Sequence, residues 1–217
     1  MRSAQLGSTG VQISRLALGG VNYHRLPDAE AARVVHQLHD LKHEDELRTM
    51  AGAGGALKAV ERFRDAGTIR FVGITGHWDP SLLVRALDVH PFGTILCALG
   101  AMHEAVRPFH AAVVPIARAR GVGVLGMKVY AYGMLKEYAV DALRFVLGLD
   151  GVDAAVVGID SIEQLEANVR AARAFTPLSS AARQALPDRA ARIHAARPAD
   201  AWFIKLPGDG HPDGGAG

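Results

Sequence analysis

The apolar positions of the chain repeat in one pattern: a stretch at helical spacing that stops at a glycine, then a short apolar run of strand length. The clearest instance spans 56–77. Leu57, Val60, Glu61 and Arg64 share helical spacing, Gly67 supplies a left-handed stop, and Phe71-Val72-Gly73-Ile74 follows as a buried strand. This predicts one αβ unit. Asp79 and Pro80 then provide an N-cap and a first-turn proline for a helix over 81–88. The loop between them begins Thr75-Gly76-His77, and in α/β folds the carboxyl ends of strands are where ligands sit, so these three residues point at a site.

The same rhythm continues to the end of the chain. Thr94-Ile95-Leu96-Cys97-Ala98-Leu99 reads as a strand, 109–120 as a helix stopped by Gly121, and 122–129 as a strand with Gly123 and Gly126 inside it. A helix over 139–149 and a strand over 152–157 follow. Ser161-Ile162-Glu163-Gln164 is a capping box that opens a helix reaching Ala174, and a last helix over 180–196 is predicted to break near Pro187. Upstream, Leu6-Gly7-Ser8-Thr9-Gly10-Val11 predicts a tight hairpin and Leu16-Ala17-Leu18 a buried strand. Asp28 caps a helix through Val34 and Val35, and His36-Gln37-Leu38-His39-Asp40 ends like a strand exit without a turn before it. Alternating strand and helix predicts a parallel sheet rather than a bundle.

Composition narrows the picture only a little. With 217 residues, 49% of them apolar and 21% charged, the chain has the size and balance of one globular domain. A net charge of +2 with arginines scattered among alanines forms no basic run, which argues against a nucleic-acid partner. One cysteine, Cys97, excludes an internal disulfide and suits a reducing compartment. No apolar stretch has the length of a signal peptide or membrane span, so the expected location is cytoplasmic, without a membrane partner. His39, His43 and Glu44 invite a metal reading, but no third ligand stands at a familiar distance and no metal site is assigned.

In order, Leu6 to Gly10, Leu16-Ala17-Leu18-Gly19-Gly20, Leu38-His39-Asp40, the run Ala66 to Thr75, Gly126-Met127-Lys128-Val129 and the run Val157 to Asn168 resemble an aldo-keto reductase. The resemblance covers most of 5–175. It implies a parallel (β/α) TIM-type barrel with an N-terminal β-hairpin, NADPH as cofactor, a small carbonyl substrate, and four catalytic residues: an aspartate, a tyrosine, a lysine and a histidine. Only the histidine has a counterpart, His39. The second and third strands, which carry the other three, are absent, because the first helix runs directly into 36–40. At about 30 residues per βα unit, two missing units and a shortened strand amount to roughly 60 to 80 residues.

The expectation is therefore an incomplete barrel of about six strands out of eight. It would be one domain over 1–206: hairpin 1–14, first strand and helix 15–35, later βα units 36–175 and a C-terminal helix with its extension 176–206. A disordered tail, 207–217, follows. An open parallel sheet has exposed edges. It either stays open, pairs with a second copy as a homo-oligomer, or closes as a strained ring with 36–40 beside 16–18. By the same resemblance Thr75 and Gly76 hold the nicotinamide carboxamide and Met127 lies against its ring. Lys128 reaches phosphate or pairs with a carboxylate. Gly158, Ser161, Gln164 and Asn168 contact the adenosine 2'-phosphate, with Gln164 where the family often has arginine and Ala167 where it has an acid. The alternatives for Ser161, Asn168 and Met127 are a plain N-cap, a surface residue and core packing.

Carbonyl reduction needs a proton donor where the alkoxide develops. Without the tyrosine and its lysine, the chain reads as an NADPH-dependent carbonyl oxidoreductase by descent with turnover lost or much reduced. The alternative is a non-catalytic nucleotide-binding or assembly module. Tyr130 and Tyr132, after the strand ending at Val129, are the tyrosines on the ligand side.

Overall fold

The computed structural model describes residues 3–18, 35–38 and 40–197. The chain opens with the predicted hairpin, β1 (Ser3–Gln5) against β2 (Gln12–Ser14), antiparallel with Ser3 opposite Ser14. Then come β3 (Leu16–Leu18), β4 (Val35–Leu38), α1 (Glu44–Ala51), α2 (Ala56–Asp65), β5 (Phe71–Gly76), α3 (Pro80–Val89) and β6 (Thr94–Ala98). After these come α4 (Ala101–Val106), α5 (Phe109–Ala119), β7 (Gly123–Met127), α6 (Ala139–Leu147), β8 (Ala154–Val157), α7 (Ile162–Arg173) and α8 (Ser180–Ala195).

β3 to β8 form one six-stranded sheet in the order β3-β8-β7-β6-β5-β4, every pair parallel. This is an α/β fold with the strand sequence of an incomplete (β/α) barrel. β3 and β4, consecutive strands among the described residues, lie at opposite edges, so the strained ring with 36–40 beside 16–18 does not form. Six strands cannot reproduce the tilt and stagger by which eight close on themselves.

The two faces of this sheet differ in how they are covered. A Cβ on Gly76 would meet Leu83 of α3, and one on Gly126 would meet Val146 of α6, which fixes the helix-covered face. Residues in phase with them, Ile74, Ile95, Cys97, Val124, Ala155 and Val157, are at most 1% exposed. The alternate residues turn to the concave side, where Phe71, Leu96, Leu125 and Val156 are half-buried while Thr75, Thr94, Ala98, Met127 and Ala154 are buried. In a complete barrel that side is filled by layers of side chains from all eight strands. Cys97 packs beneath the helices as the small hydrophobe its position predicts.

The hairpin closes the amino end of the sheet. Leu6, 3% exposed, fills the space a side chain on Gly123 would take. Gly7 has φ +52° and stands so close to Gly121–Gly123 that a Cβ would lie 2.3 Å from the Gly123 amide. The Asp153 carboxylate ties these pieces together. It accepts from the Val124 amide at 2.8 Å, the Gly7 amide at 3.3 Å and the Arg118 guanidinium at 3.0 and 3.1 Å.

Several local readings differ from expectation. α8 runs unbroken through Pro187, because Leu186 and Ala190 are buried and the helix packs along α4. That packing outweighs the roughly 3 kcal/mol an internal proline costs. α1 and the six-residue α4 are not foreseen from periodicity. The predicted helix from Asp28 lies outside the described residues except for Val35, which begins β4 instead. The 207–217 tail lies outside them too. Among the described residues no helix is long and apolar enough to cross a membrane.

Candidate functional site

The carboxyl ends of β4 to β8 share one edge, and most of the residues singled out in the sequence lie along it. Thr75 and Gly76 end β5, Met127 ends β7 with Lys128 next, and Gly158 follows β8. Register holds Thr75 beside Leu96 and Met127 beside Ala98. Thr75 is 1% exposed, and its carbonyl accepts from the Leu41 amide at 3.0 Å, which fastens the chain after β4 to the end of β5. Gly76 faces the helix layer, so it makes no cradle on the concave side. Met127 is 7% exposed. Lys128 adopts φ +61° and lays its ammonium over the Tyr132 ring, 4.1 Å from the centroid. Its carbonyl is approached so closely by Gly100 that a Cβ there would stand 2.2 Å away.

His39 lies outside the described residues. Its neighbour Asp40 is the centre of a cluster the sequence did not announce. The Asp40 carboxylate accepts from the Trp78 indole at 3.2 Å and stands 3.7 Å from His77 Nε2. Arg107 donates to the Trp78 carbonyl at 2.8 Å and so pins the loop after β5. Asp79 caps α3 by accepting from the Ser81 amide at 2.8 Å. Burial raises the Asp79 carboxyl, but the Ser81 and Leu82 hydrogen bonds and the Arg107 charge outweigh it and hold the group below its ordinary value. His77 carried a signal as one of the three residues at the exit of β5; that it meets Asp40, 37 residues earlier, and that Trp78 joins them, carried none. His43 is the N-cap of α1, closing a capping box with Glu46.

At the start of α7, Ser161 accepts from the Gln164 amide at 3.3 Å, and the Gln164 side chain reaches back to the Asp160 amide at 2.8 Å, one residue earlier than a capping box predicts. The Glu163 carboxyl is held below its ordinary value by its own backbone amide first and by the Ser161 hydroxyl second, against a small rise from desolvation. Asn168 is not a surface residue. It is 7% exposed, and its amide oxygen accepts from the Tyr130 hydroxyl at 2.7 Å. Burial pushes the Tyr130 phenol up to about 12.

His103 of α4 stands behind this edge, 2% exposed. Burial lowers it to about 3, with the Lys128 and His194 charges adding to the effect, so it is neutral at physiological pH. A cavity of about 380 Å³, lined by Leu87, His90, Phe92, Arg120 and Val122 among others, opens at the opposite, amino end of the sheet. Ligands of such folds bind at the carboxyl ends, so its size does not make it the site.

The dinucleotide that the resemblance implies meets these residues unevenly. A Cβ on Gly158 would find no atom within 4 Å, which leaves the backbone after β8 open to close approach. Lys128 supplies a cation at the adjoining strand end, and Thr75 and Met127, to which the resemblance assigns the nicotinamide, are 1% and 7% exposed. The far end fits a 2'-phosphate poorly. The first turn of α7 contains Glu163 and no basic residue, and Ser161, Gln164 and Asn168 are all engaged within the chain.

No family model matches the chain, and no curated protein matches it. Solved structures do. The aldo-keto reductase AKR11C1 from Bacillus halodurans, in its holo form, superposes with a TM-score of 0.57 at 22% identity over 72% of this chain and 58% of its own. PA4992 from Pseudomonas aeruginosa, described as an aldo-keto reductase, gives 0.58 at 19% identity over 80% of this chain and 96% of its own. The glycerol dehydrogenase AKR11B4 from Gluconobacter oxydans gives 0.52 at 18% identity over 76% and 60%. The chain therefore spans about three fifths of the length of AKR11C1 and AKR11B4 and nearly all of PA4992. At these identities the likeness establishes the fold: the described strands and helices follow the (β/α) barrel of aldo-keto reductases.

Proposed function

We propose that the chain binds a reduced nicotinamide nucleotide along the carboxyl edge of its sheet and reduces small carbonyl compounds slowly or not at all. The observation that carries this reading is the fate of Tyr130. It follows β7 at the carboxyl edge of the sheet, yet its hydroxyl is committed to Asn168 and its pKa is raised, whereas a proton donor for a developing alkoxide needs a lowered one. Lys128, the cation at the same edge, lies over Tyr132 and not beside Tyr130's partner. When bound, the nucleotide would supply hydride. The chain's own part is to seat the nicotinamide against Met127 and Thr75 and to let the phosphates approach Gly158. Fluorescence titration of reduced nucleotide into the full chain tests the reading: saturable binding supports it, and no binding at millimolar nucleotide overturns it.

A second reading rests on a different observation, the two sheet edges at β3 and β4, which are unpaired among the described residues. Edges of this kind are templates for pairing with another chain. On this reading the protein assembles with a second copy, and sedimentation velocity shows a dimer or larger species across a concentration series. A monodisperse monomer at all concentrations contradicts it.

A further inference from the structure

We infer that Lys128 and Tyr132 form a platform for a flat organic carboxylate, a small conjugated or aromatic acid held by its charge and by its plane. Only the step of taking that acid for the carbonyl compound rests on the reading above.

The loop after β7 carries three residues other than glycine in left-handed backbone: Lys128 at φ +61°, Ala131 at +47° and Tyr132 at +58°. Side chains disfavour that conformation, and such outliers persist only where the surroundings enforce them. Here they do. Ala131 is 1% exposed, Gly100 closes in on the Lys128 carbonyl, and that carbonyl accepts from the Ala131 amide at 3.0 Å. The strained turn brings the Lys128 ammonium over the Tyr132 ring, 4.1 Å from its centroid.

That cation lacks a counter-ion. Arg118, Arg120 and Arg170 each hold a carboxylate, whereas Lys128 is half-buried and, among the described residues, has no carboxylate paired with it. His103 behind it is neutral at physiological pH and supplies no opposing charge. A partly desolvated ammonium held only by a ring face gains from the arrival of an anion. Tyr132 remains 43% exposed, so ring surface stays open next to the charge.

The two side chains together define the ligand. A phosphate brings about two charges and three acceptor oxygens, which several donors serve better than one ammonium. A carboxylate brings one charge, and a conjugated plane attached to it can pack against the tyrosine ring. The open backbone at Gly158 is left for the phosphates of a nucleotide.

Calorimetric titration of benzoate into the full chain, without nucleotide, tests the inference against benzamide, cyclohexanecarboxylate and inorganic phosphate. Benzoate is expected to bind about tenfold tighter than benzamide, which lacks the charge, and about threefold tighter than cyclohexanecarboxylate, which lacks the plane. Lys128→Met is expected to abolish the preference over benzamide, and Tyr132→Leu the preference over cyclohexanecarboxylate. Lys128→Gly relieves the left-handed strain, so it is expected to lose benzoate while its Tm is no lower than the parent's, which separates binding from folding. No benzoate binding at millimolar concentration, equal binding of benzamide, or a preference that survives Lys128→Met overturns the inference. So does inorganic phosphate that displaces benzoate at an equal or lower concentration. These failures leave the nucleotide reading standing, because no nucleotide is present; failure of reduced nucleotide to bind in its own titration removes that reading and leaves the acid site.

Discussion

The Tyr130 hydroxyl donates to the Asn168 amide oxygen at 2.7 Å and joins the loop after β7 to the middle of α7 across 38 residues of sequence. In the sequence Tyr130 is marked only as a tyrosine on the ligand side, and Asn168 as a nucleotide contact or a surface residue. Together they form a buried hydrogen bond that spends both groups on holding two βα units side by side.

Tyr130→Phe removes that bond and leaves the Asn168 oxygen buried without its donor. The cost is about 1 to 3 kcal/mol, or a few degrees to about ten in Tm for a chain of this length. Whatever aldehyde reduction the parent shows is expected to survive the substitution within about twofold, because a phenol raised to about 12 is not the proton source. Loss of a measurable rate with Tm unchanged contradicts this assignment.

Asp153 is the corresponding anchor at the amino end of the sheet. Its side chain is 8% exposed and holds Arg118 and the amides of Gly7 and Val124. Asp153→Ala leaves the Val124 and Gly7 amides without their acceptor, while Arg118, 42% exposed, stays hydrated, so urea unfolding is expected to show a loss of about 1 to 3 kcal/mol. Asp153→Asn keeps one acceptor and is expected to lose less. A change below about 1 kcal/mol for the alanine variant would mean that the hairpin is not fastened through this residue.

His103 gives the fold a predictable response to acid. In the unfolded chain the imidazole takes a proton near its ordinary 6.5, whereas the folded chain keeps it neutral down to about 3. Protonation therefore favours the unfolded state. The stability tied to this residue is complete above pH 6.5 and is lost as pH falls from there toward 3, amounting to about 2 kcal/mol at pH 5. His90, lowered by burial against the opposing pull of Glu61, adds in the same direction. Thermal melts at pH 7.5 and pH 5 are expected to show a smaller drop for His103→Gln than for the parent; equal drops contradict the assignment.

Much of the fold was legible because the signals that specify it are local. Gly67 and Gly121 end helices with φ +74° and +71°, Asp79 caps α3 and Ser161 caps α7. The apolar runs became the strands, and their alternation with helices gave a parallel sheet. What escaped was set by contacts distant in sequence. Asn168 reads as a nucleotide contact or a surface residue until Tyr130 is brought against it, and Pro187 reads as a break until α4 is packed beside its helix. α1 carried a signal in Glu44, Asp45 and Glu46, an acidic first turn behind His43. The site was legible as an edge rather than as a set of contacts. Thr75, Met127, Lys128 and Gly158 lie along it, His39 falls outside the described residues, and His77, singled out with Thr75 and Gly76, meets Asp40 and Trp78 only through the pairing of β4 with β5.

The central claim, that the edge keeps a nucleotide while the proton supply is missing, is tested most directly by single-turnover mixing. The full chain, loaded with saturating reduced nicotinamide nucleotide whose binding is followed by fluorescence, is mixed with excess aldehyde and read at the nucleotide's absorbance. The account predicts a bound nucleotide whose absorbance decays at least a hundredfold more slowly than the roughly 10 per second typical of enzymes, in line with the 10²- to 10⁴-fold that general acid catalysis contributes. Rapid oxidation of the bound nucleotide at an ordinary enzymatic rate would contradict it.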